Sequence, residues 1–351
     1  MRKVIKINGR KIKSDGGTPY LILEAGTNFY EHADLRGISF RVAAQEMITE
    51  ASRIGADAIK FQIFFADKFI SEKHDKKAYD YIRRHDLLTI ADWKKIIKFA
   101  NRSGITFLAS IFDTDTLKEL GHLLPAFKVA SPDINNVQLL NAINEFEKPV
   151  ILSTGASSEN DIKFALSKLD KCEVIIMHCS AVYPSKETDY NLSNITTLKK
   201  HFDENIVGYS HHNNNSATPL IVAASLGATV IEIHYKIYSE IKSNDYKISF
   251  TSNDIQRIIH ELKCIHAMLG SNEKRVNKRE MPVHLNGRRS IYAKVNIEMG
   301  CSFSNDNVIS LRPSLDEAIL ATDFDLLTKR IASQNIKKGD IIAYKDAERL
   351  T

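Results

Sequence analysis

The chain has 351 residues, 43% hydrophobic and 26% charged, with 15 glycines and 8 prolines; this excludes collagen-like, low-complexity and disordered classes and sets the size of one large domain with an appendage, or of two domains. Forty-eight lysines and arginines against 43 aspartates and glutamates give a formal charge of +5, too small and dispersed to call for nucleic acid and compatible with a small anionic substrate. No apolar run reaches the roughly 18 residues of a membrane span, the basic N-terminal stretch lacks a signal-peptide core, and Cys172, Cys179, Cys264 and Cys301 show no paired spacing, so a cytoplasmic protein with no membrane association is expected.

From the N-terminus, eight short β-branched runs each precede a longer segment with apolar positions at helical spacing. The predicted strands are Tyr20 to Ala25, Ala58 to Phe64, Thr106 to Phe112, Phe127 to Ser131, Pro149 to Ser153, Val174 to Cys179, Ile206 to Ser210 and Val230 to His234. Predicted helices fill the gaps, with N-caps at Ser158, three residues before Asp161, and at Ser252, ahead of Asp254. Eight such units in about 270 residues have the rhythm of a (β/α)8 TIM barrel, whose parallel strands read as apolar runs because both faces are covered. The rival, a doubly wound open sheet, usually opens on a G-x-G-x-x-G turn, which Leu23 to Asn28 lacks.

One insertion stands out: Phe65 to Thr89, with Tyr79, Tyr81, Arg83 and Arg84, has the length of a lid or partner contact on the catalytic side. Beyond Gly270 the pattern changes. A basic linker over 271–286, with Lys274, Arg275, Lys278 and Arg279, reads as a solvated face. Residues 287–351 follow as a small β-rich domain, with strand-like pieces Ser290 to Val295, Ile309 to Leu311 and Ile341 to Ala343.

Catalytic groups of such a barrel sit at the C-terminal strand ends. There the chain offers Glu24, Lys60 and Gln62, Ser110, Lys128 and Ser131, Ser153, Ser180 and Tyr183, Ser210, His211 and His212, then Glu232 and His234. Lys60 and Lys128 can meet across the mouth and neutralise a doubly charged anion, with Ser131, Ser153 and Ser180 donating to its oxygens. Lys128 interrupts an apolar run, where an unpartnered charge would cost several kcal/mol. His212 and His234 end adjacent strands and can share one divalent cation with positions left open, while strand alternation turns His211 away.

These motifs resemble the sialic acid synthase family, whose enzymes condense phosphoenolpyruvate with an N-acylated hexose to make nonulosonic acids. The resemblance runs through Leu23 to Asn28, Ala56 to Gln62, Phe127 to Ser131, Pro149 to Gly155, His178-Cys179-Ser180 with Tyr183-Pro184, Val207 to His212, and Glu232-Ile233-His234. In the small domain Arg288-Arg289-Ser290 and Arg312-Pro313 look like stretches of the antifreeze-like (SAF) domain, which in this family reaches the partner's active site in a domain-swapped homodimer. The resemblance implies that Lys60, Lys128, Ser131, Ser153, Ser180, Tyr183 and Ser210 hold phosphoenolpyruvate. It implies that His212 and His234 ligate Mn2+ or Mg2+, and that Glu24, Gln62, Asp245 and, from the other subunit, Arg312 bind the sugar. Asp133, where the family has Glu, would steer the water that adds before phosphate leaves.

Several positions depart from the family pattern: Phe29 for His, His211 for Asp, Ile233 for Arg, Lys236 for Thr, Ser243-Asn244-Asp245 for Gly-Pro-Asp, and no Gly-x-Gly after Arg312-Pro313. Anion and metal residues are kept while their sugar-facing neighbours vary, so the expectation is the same condensation on an unusual hexose. The alternatives are a non-catalytic relative that binds an anionic sugar or a partner protein, and a metal-dependent aldolase using pyruvate.

Overall fold

A computed structural model describes residues 3–83, 86–271 and 273–349; Arg84 of the predicted insertion lies outside them. The chain divides into two compact units, Met1–Gly270 and Ser271–Thr351.

The first unit opens on a hairpin, β1 (Val4–Ile7) and β2 (Arg10–Lys13), paired antiparallel. Asn8 and Gly9 both take positive φ, 47° and 82°, the geometry of the two-residue turn that matches strand twist. Eight parallel strands follow: β3 (Tyr20–Gly26), β4 (Ala58–Ile63), β5 (Thr106–Ile111), β6 (Phe127–Val129), β7 (Val150–Ser153), β8 (Val174–Cys179), β9 (Ile206–His211) and β10 (Val230–Lys236). Each pairs with the next, and β10 pairs back with β3, His234 opposite Glu24, so the sheet closes. The (β/α)8 barrel expected from the alternation is the observed fold. A two-residue strand, β11 (Phe250–Thr251), adds to β10 and leads into the long helix Ser252–Leu269. No helix among the described residues is long and apolar enough to cross a membrane.

Helix starts follow their caps. Ser158 and Asp161 form the reciprocal box expected of them, as do Thr89 and Asp92. At the last barrel helix the cap lies one residue earlier than Ser252: Asp254 accepts from the Thr251 backbone N–H and hydroxyl at 3.1 and 2.6 Å. The insertion is also more ordered than a loop, since it holds helices Ala66–Phe69 and Lys76–Arg83.

Strand alternation sorts each side chain to the helix layer or to the barrel lumen. Outward residues such as Leu23, Ile59, Phe107 and Ile231 join the larger core under the helices. Inward ones split by height. Ile22, Ala58, Leu108, Ala126, Ile151, Ile175, Ile206 and Val230 pack one apolar plug, closed from below by Ile5, Ile7 and Ile12 of the hairpin. One inward position further along six of the strands stand Glu24, Lys60, Ser110, Lys128, Ser153 and Glu232, and Ser210 stands two inward positions beyond Ile206, all buried. The dry plug therefore makes the floor on which a polar layer rests.

The second unit contains a short helix, Met281–Asn286, within the stretch read as linker, then two antiparallel pairs. β12 (Ser290–Ala293) pairs with β13 (Val308–Leu311), and β14 (Arg330–Ala332) with β15 (Ala347–Arg349). The predicted strand Ile341 to Ala343 makes only isolated bridges, Tyr292 to Ile341 and Ala318 to Ala343. Its core is separate and small, built on Ile291, Phe303, Val308, Ile319, Leu327 and Ile342.

Candidate active site

The polar layer opens into a cavity of about 370 Å³ at the C-terminal ends of the strands. Its floor holds two buried lysines and two buried carboxylates. Lys60 Nζ lies 2.7 Å from Glu24 Oε2 and 3.7 Å from Glu232 Oε1, and Lys128 Nζ lies 3.7 Å from the same Glu232 oxygen. Lys128 also donates to Ser153 Oγ at 2.6 Å, Gln62 donates to Glu24 at 2.8 Å, and Ser210 Oγ donates to Glu232 at 3.3 Å. The lysines meet as the sequence implied, but they are already compensated. Glu232 sits between them, and its Oε2 is buried without a hydrogen-bond partner.

Charge states follow from this arrangement. Burial opposes the Lys60 ammonium, but Glu232 and Glu24 outweigh it and hold the group above the ordinary lysine value. Burial wins at Lys128 and, with repulsion from Lys60, pulls it below that value despite Glu232. Burial also works against the Glu232 carboxylate, yet Lys128 and Lys60 together keep it in the ionised range.

Across the mouth stand the imidazoles, ring centroids 5.4 Å apart. His212 Nδ1 lies 2.6 Å from the Ser180 carbonyl, an acceptor only, so Nδ1 carries the proton and Nε2 presents its lone pair to the cavity, near Tyr183 OH at 3.0 Å. Burial and the nearby His234 push His212 down to about 3, which keeps the ring neutral. At His234 burial is outweighed by Asp245, whose Oδ2 lies 3.3 Å from Nδ1, and the ring is held above its usual value. His211 turns outward, as alternation requires, to Tyr209 OH at 3.0 Å and the ring of Tyr190.

Two imidazoles, one with its tautomer fixed from behind by a carbonyl and the other backed by the Asp245 carboxylate, would suit a divalent cation that keeps positions open. Among the described residues no group of three or more His, Cys, Asp or Glu side chains is placed to hold a metal ion, so the two imidazoles would need water and substrate to complete the shell of any cation they held.

Asp245 arrives on the segment after β10, which several buried groups tie down. Asn28 donates to the Tyr235 carbonyl at 2.8 Å and accepts from Ser243, Lys236 donates to the Tyr246 carbonyl at 3.0 Å, and Asn214 donates to the Ser249 carbonyl at 3.0 Å. Ser131 Oγ accepts from the Gly155 N–H at 2.9 Å. A Cβ on Gly155 would stand 3.0 Å from that oxygen and 3.2 Å from Cys179 Sγ, so a side chain here would push on the close approach of Ser131 and Cys179.

Of the expected site residues, Glu24, Lys60, Gln62, Lys128, Ser131, Ser153, Tyr183, Ser210, His212, His234 and Asp245 line one cavity. Two do not. Asp133 lies in the one-turn helix after β6 and accepts from Asn136 at 3.2 Å, which directs its carboxyl along its own turn. Ser180 contributes its carbonyl to His212, while its hydroxyl accepts from the Val182 N–H at 3.3 Å. Arg312 follows β13 in the second unit and is exposed. Sequence reasoning missed the weight of Glu232, although its place two residues before His234 puts both on the inner face. It also missed the aromatic wall of Phe64, Phe69 and Phe112, to which Tyr81 and Ile82 add from the insertion.

A closed barrel whose catalytic rim gathers paired lysines, carboxylates and two imidazoles around one cavity defines a (β/α)8-barrel enzyme site for a small anion and a polar co-substrate. The chain belongs to the NeuB family, whose model matches residues 47–274. It is 33% identical over 97% of its length to an uncharacterized protein of Methanocaldococcus jannaschii, covering 98% of that protein. It is 31% identical to the N,N'-diacetyllegionaminic acid synthase of Campylobacter jejuni, over 92% of this chain and 98% of that one. Among solved structures, the N-acetylneuraminic acid synthetase of Leptospira borgpetersenii, crystallised with citrate, is 29% identical with a TM-score of 0.71, over 80% of this chain and 95% of that one.

Proposed function

We propose that this chain is a nonulosonic acid synthase that joins phosphoenolpyruvate to the aldehyde of an N-acylated hexose and releases phosphate. The observation that carries the reading is the single cavity with buried Lys60 and Lys128 on its floor and His212 and His234 on its rim. Lys60, Lys128, Ser131, Ser153 and Ser210 would hold the phosphate and carboxylate oxygens, and Tyr183 would close over them. Glu24, Gln62 and Asp245 would take the sugar hydroxyls.

His212 and His234 would hold a divalent cation, manganese or magnesium, which when bound supplies Lewis-acid polarisation of the aldehyde. The enol carbon of phosphoenolpyruvate forms the new carbon–carbon bond as the aldehyde C=O π bond opens to an alkoxide that takes up a proton. Water adds to the resulting cationic C2 and gives up a proton, and the C2–O bond to phosphate then breaks to leave a C2 ketone and inorganic phosphate. The fixed charges of the floor stabilise the anionic groups through these changes without reorganising. With Asp133 turned onto its own turn, Glu24, Glu232 and Asp245 are the carboxylates of the cavity lining left to receive the water's proton. The second unit would act as an antifreeze-like domain of a domain-swapped homodimer, giving Arg312 to the partner's site.

The test is phosphate release from phosphoenolpyruvate with manganese and a panel of N-acylated hexoses. His234→Ala should lose metal-dependent turnover by about 100-fold or more. Undiminished turnover in that variant removes the cation assignment, and no release with any hexose favours a binding protein.

A further inference from the structure

Tyr183 and His212 are held face to face by the backbone around them. The loop after β8 brackets the imidazole: the Ser180 carbonyl accepts from Nδ1 at 2.6 Å, and the Ser185 N–H and hydroxyl donate to the His212 carbonyl at 2.9 and 3.2 Å. Asn213 donates to the Ser185 carbonyl at 2.7 Å and closes the frame. Between these ties the Tyr183 ring stacks on the imidazole, 4.1 Å between centroids and 26° from parallel, and its hydroxyl lies 3.0 Å from Nε2.

One proton and one lone pair meet there. With Nδ1 protonated, Nε2 of the neutral ring offers a single lone pair. Ser210 Oγ stands further off, 3.5 Å from Nε2, and donates its own proton to Glu232 at 3.3 Å, so Tyr183 is the donor. That lone pair is the one a cation on His212 would need. That hydroxyl proton is the one an anion among Lys128, Ser131 and Ser153 would take from Tyr183, which lines the same cavity. Neither can be used twice. Tyr183 is 55% exposed at the rim, and none of the ties runs through its side chain, so the phenol can turn while the frame stays.

We propose that Tyr183 couples the loading of the site: its hydroxyl closes the Nε2 lone pair of His212 until phosphoenolpyruvate draws it away, so that anion and cation each raise the affinity of the other. The inference rests on the reading of His212 as a cation ligand and of the floor as an anion site. Such coupling is reciprocal, the anion improving cation binding by the same factor as the cation improves anion binding. It adds to the direct attraction between the two charges, which a variant lacking only the hydroxyl keeps.

Tyr183→Phe keeps the stacked ring and removes the hydroxyl. The full chain, stripped of metal, is titrated calorimetrically with Mn2+, with and without phosphoenolpyruvate. Without the anion, Tyr183→Phe should bind Mn2+ about fivefold tighter than the parent chain, the fold-change of one neutral hydrogen bond; damage to the fold could not produce such a gain. Saturating phosphoenolpyruvate should then improve Mn2+ binding about fivefold more in the parent than in the variant. Equal Mn2+ affinity of the two chains, binding to neither, weaker binding in Tyr183→Phe, or an equal gain from phosphoenolpyruvate in both overturns the coupling. His212→Ala separates this from the reading beneath it. Mn2+ bound as well without the imidazole removes the cation assignment and the coupling with it, whereas Mn2+ lost with the imidazole but indifferent to the hydroxyl removes the coupling alone. Phosphate release with a hexose reads the condensation separately: if none occurs while the Mn2+ affinities differ as expected, the reaction assignment falls and the coupling stands.

Discussion

Glu232 is the residue on which the floor of the cavity balances. Two buried ammonium groups share one of its oxygens at 3.7 Å each, so its removal leaves charge in a low-dielectric layer with only Glu24 and hydroxyl partners. Glu232→Gln should lower stability by about 3 kcal/mol, as expected for a buried ion pair broken on one side. The same change should raise affinity for an anion, since phosphoenolpyruvate would no longer compete with the carboxylate for Lys60 and Lys128. Thermal melts with and without phosphoenolpyruvate check this: the ligand-induced rise in melting temperature should be larger in the variant than in the parent chain. Equal rises would show that the two lysines are not where the anion sits. Lys128 gave the sequence-level hint, a charge inside an apolar run that needs a partner. The partner lies 104 positions away on a strand that is not its neighbour, and only closure of the sheet brings it there.

At the level of elements, the strands were legible because every barrel strand carries an apolar outer face, and because in several of them the inner face turns from apolar to polar at the next inward position. Ile22 before Glu24, Ala58 before Lys60 and Val230 before Glu232 show the pattern. The hairpin was not read, although Asn8-Gly9 between alternating Val4 to Ile7 and Arg10 to Lys13 is a strong turn signal; its basic outer residues masked three buried isoleucines. The insertion was read as a loop because an eight-residue helix with only Tyr79 buried leaves little periodic signal. Asp245 could be placed only by resemblance, since besides its own short turn the segment is held by hydrogen bonds from Asn28, Lys236 and Asn214, which no local pattern announces. The hairpin can be tested by itself. Ile7 is fully buried among the inward residues of the barrel base, so Ile7→Ala should cost about 3 kcal/mol in urea unfolding. The KM for phosphoenolpyruvate should stay unchanged, because the apolar plug separates the hairpin from the cavity. A changed KM at unaltered stability would mean that the floor is not rigid.

For the whole molecule, the decisive feature is that the two units have separate cores. The barrel clusters end at Ile265, and the core of the small unit begins at Ile291. Each unit thus carries an apolar core of its own, and the role proposed for Arg312 in a second chain is a question of assembly. Subunit mixing decides the matter. A His234→Ala chain keeps Arg312 but has a disabled rim, and an Arg312→Ala chain keeps the rim but lacks the guanidinium. In a swapped dimer of one chain of each kind, the intact rim of the Arg312→Ala barrel receives Arg312 of the partner subunit, and one of the two sites is whole. Random pairing makes half of the dimers mixed, so an equal mixture should recover about one quarter of the parent activity while each variant alone stays near zero. If Arg312 served its own barrel, the mixed dimer would contain one site without a working rim and one without the arginine, and activity would not rise on mixing.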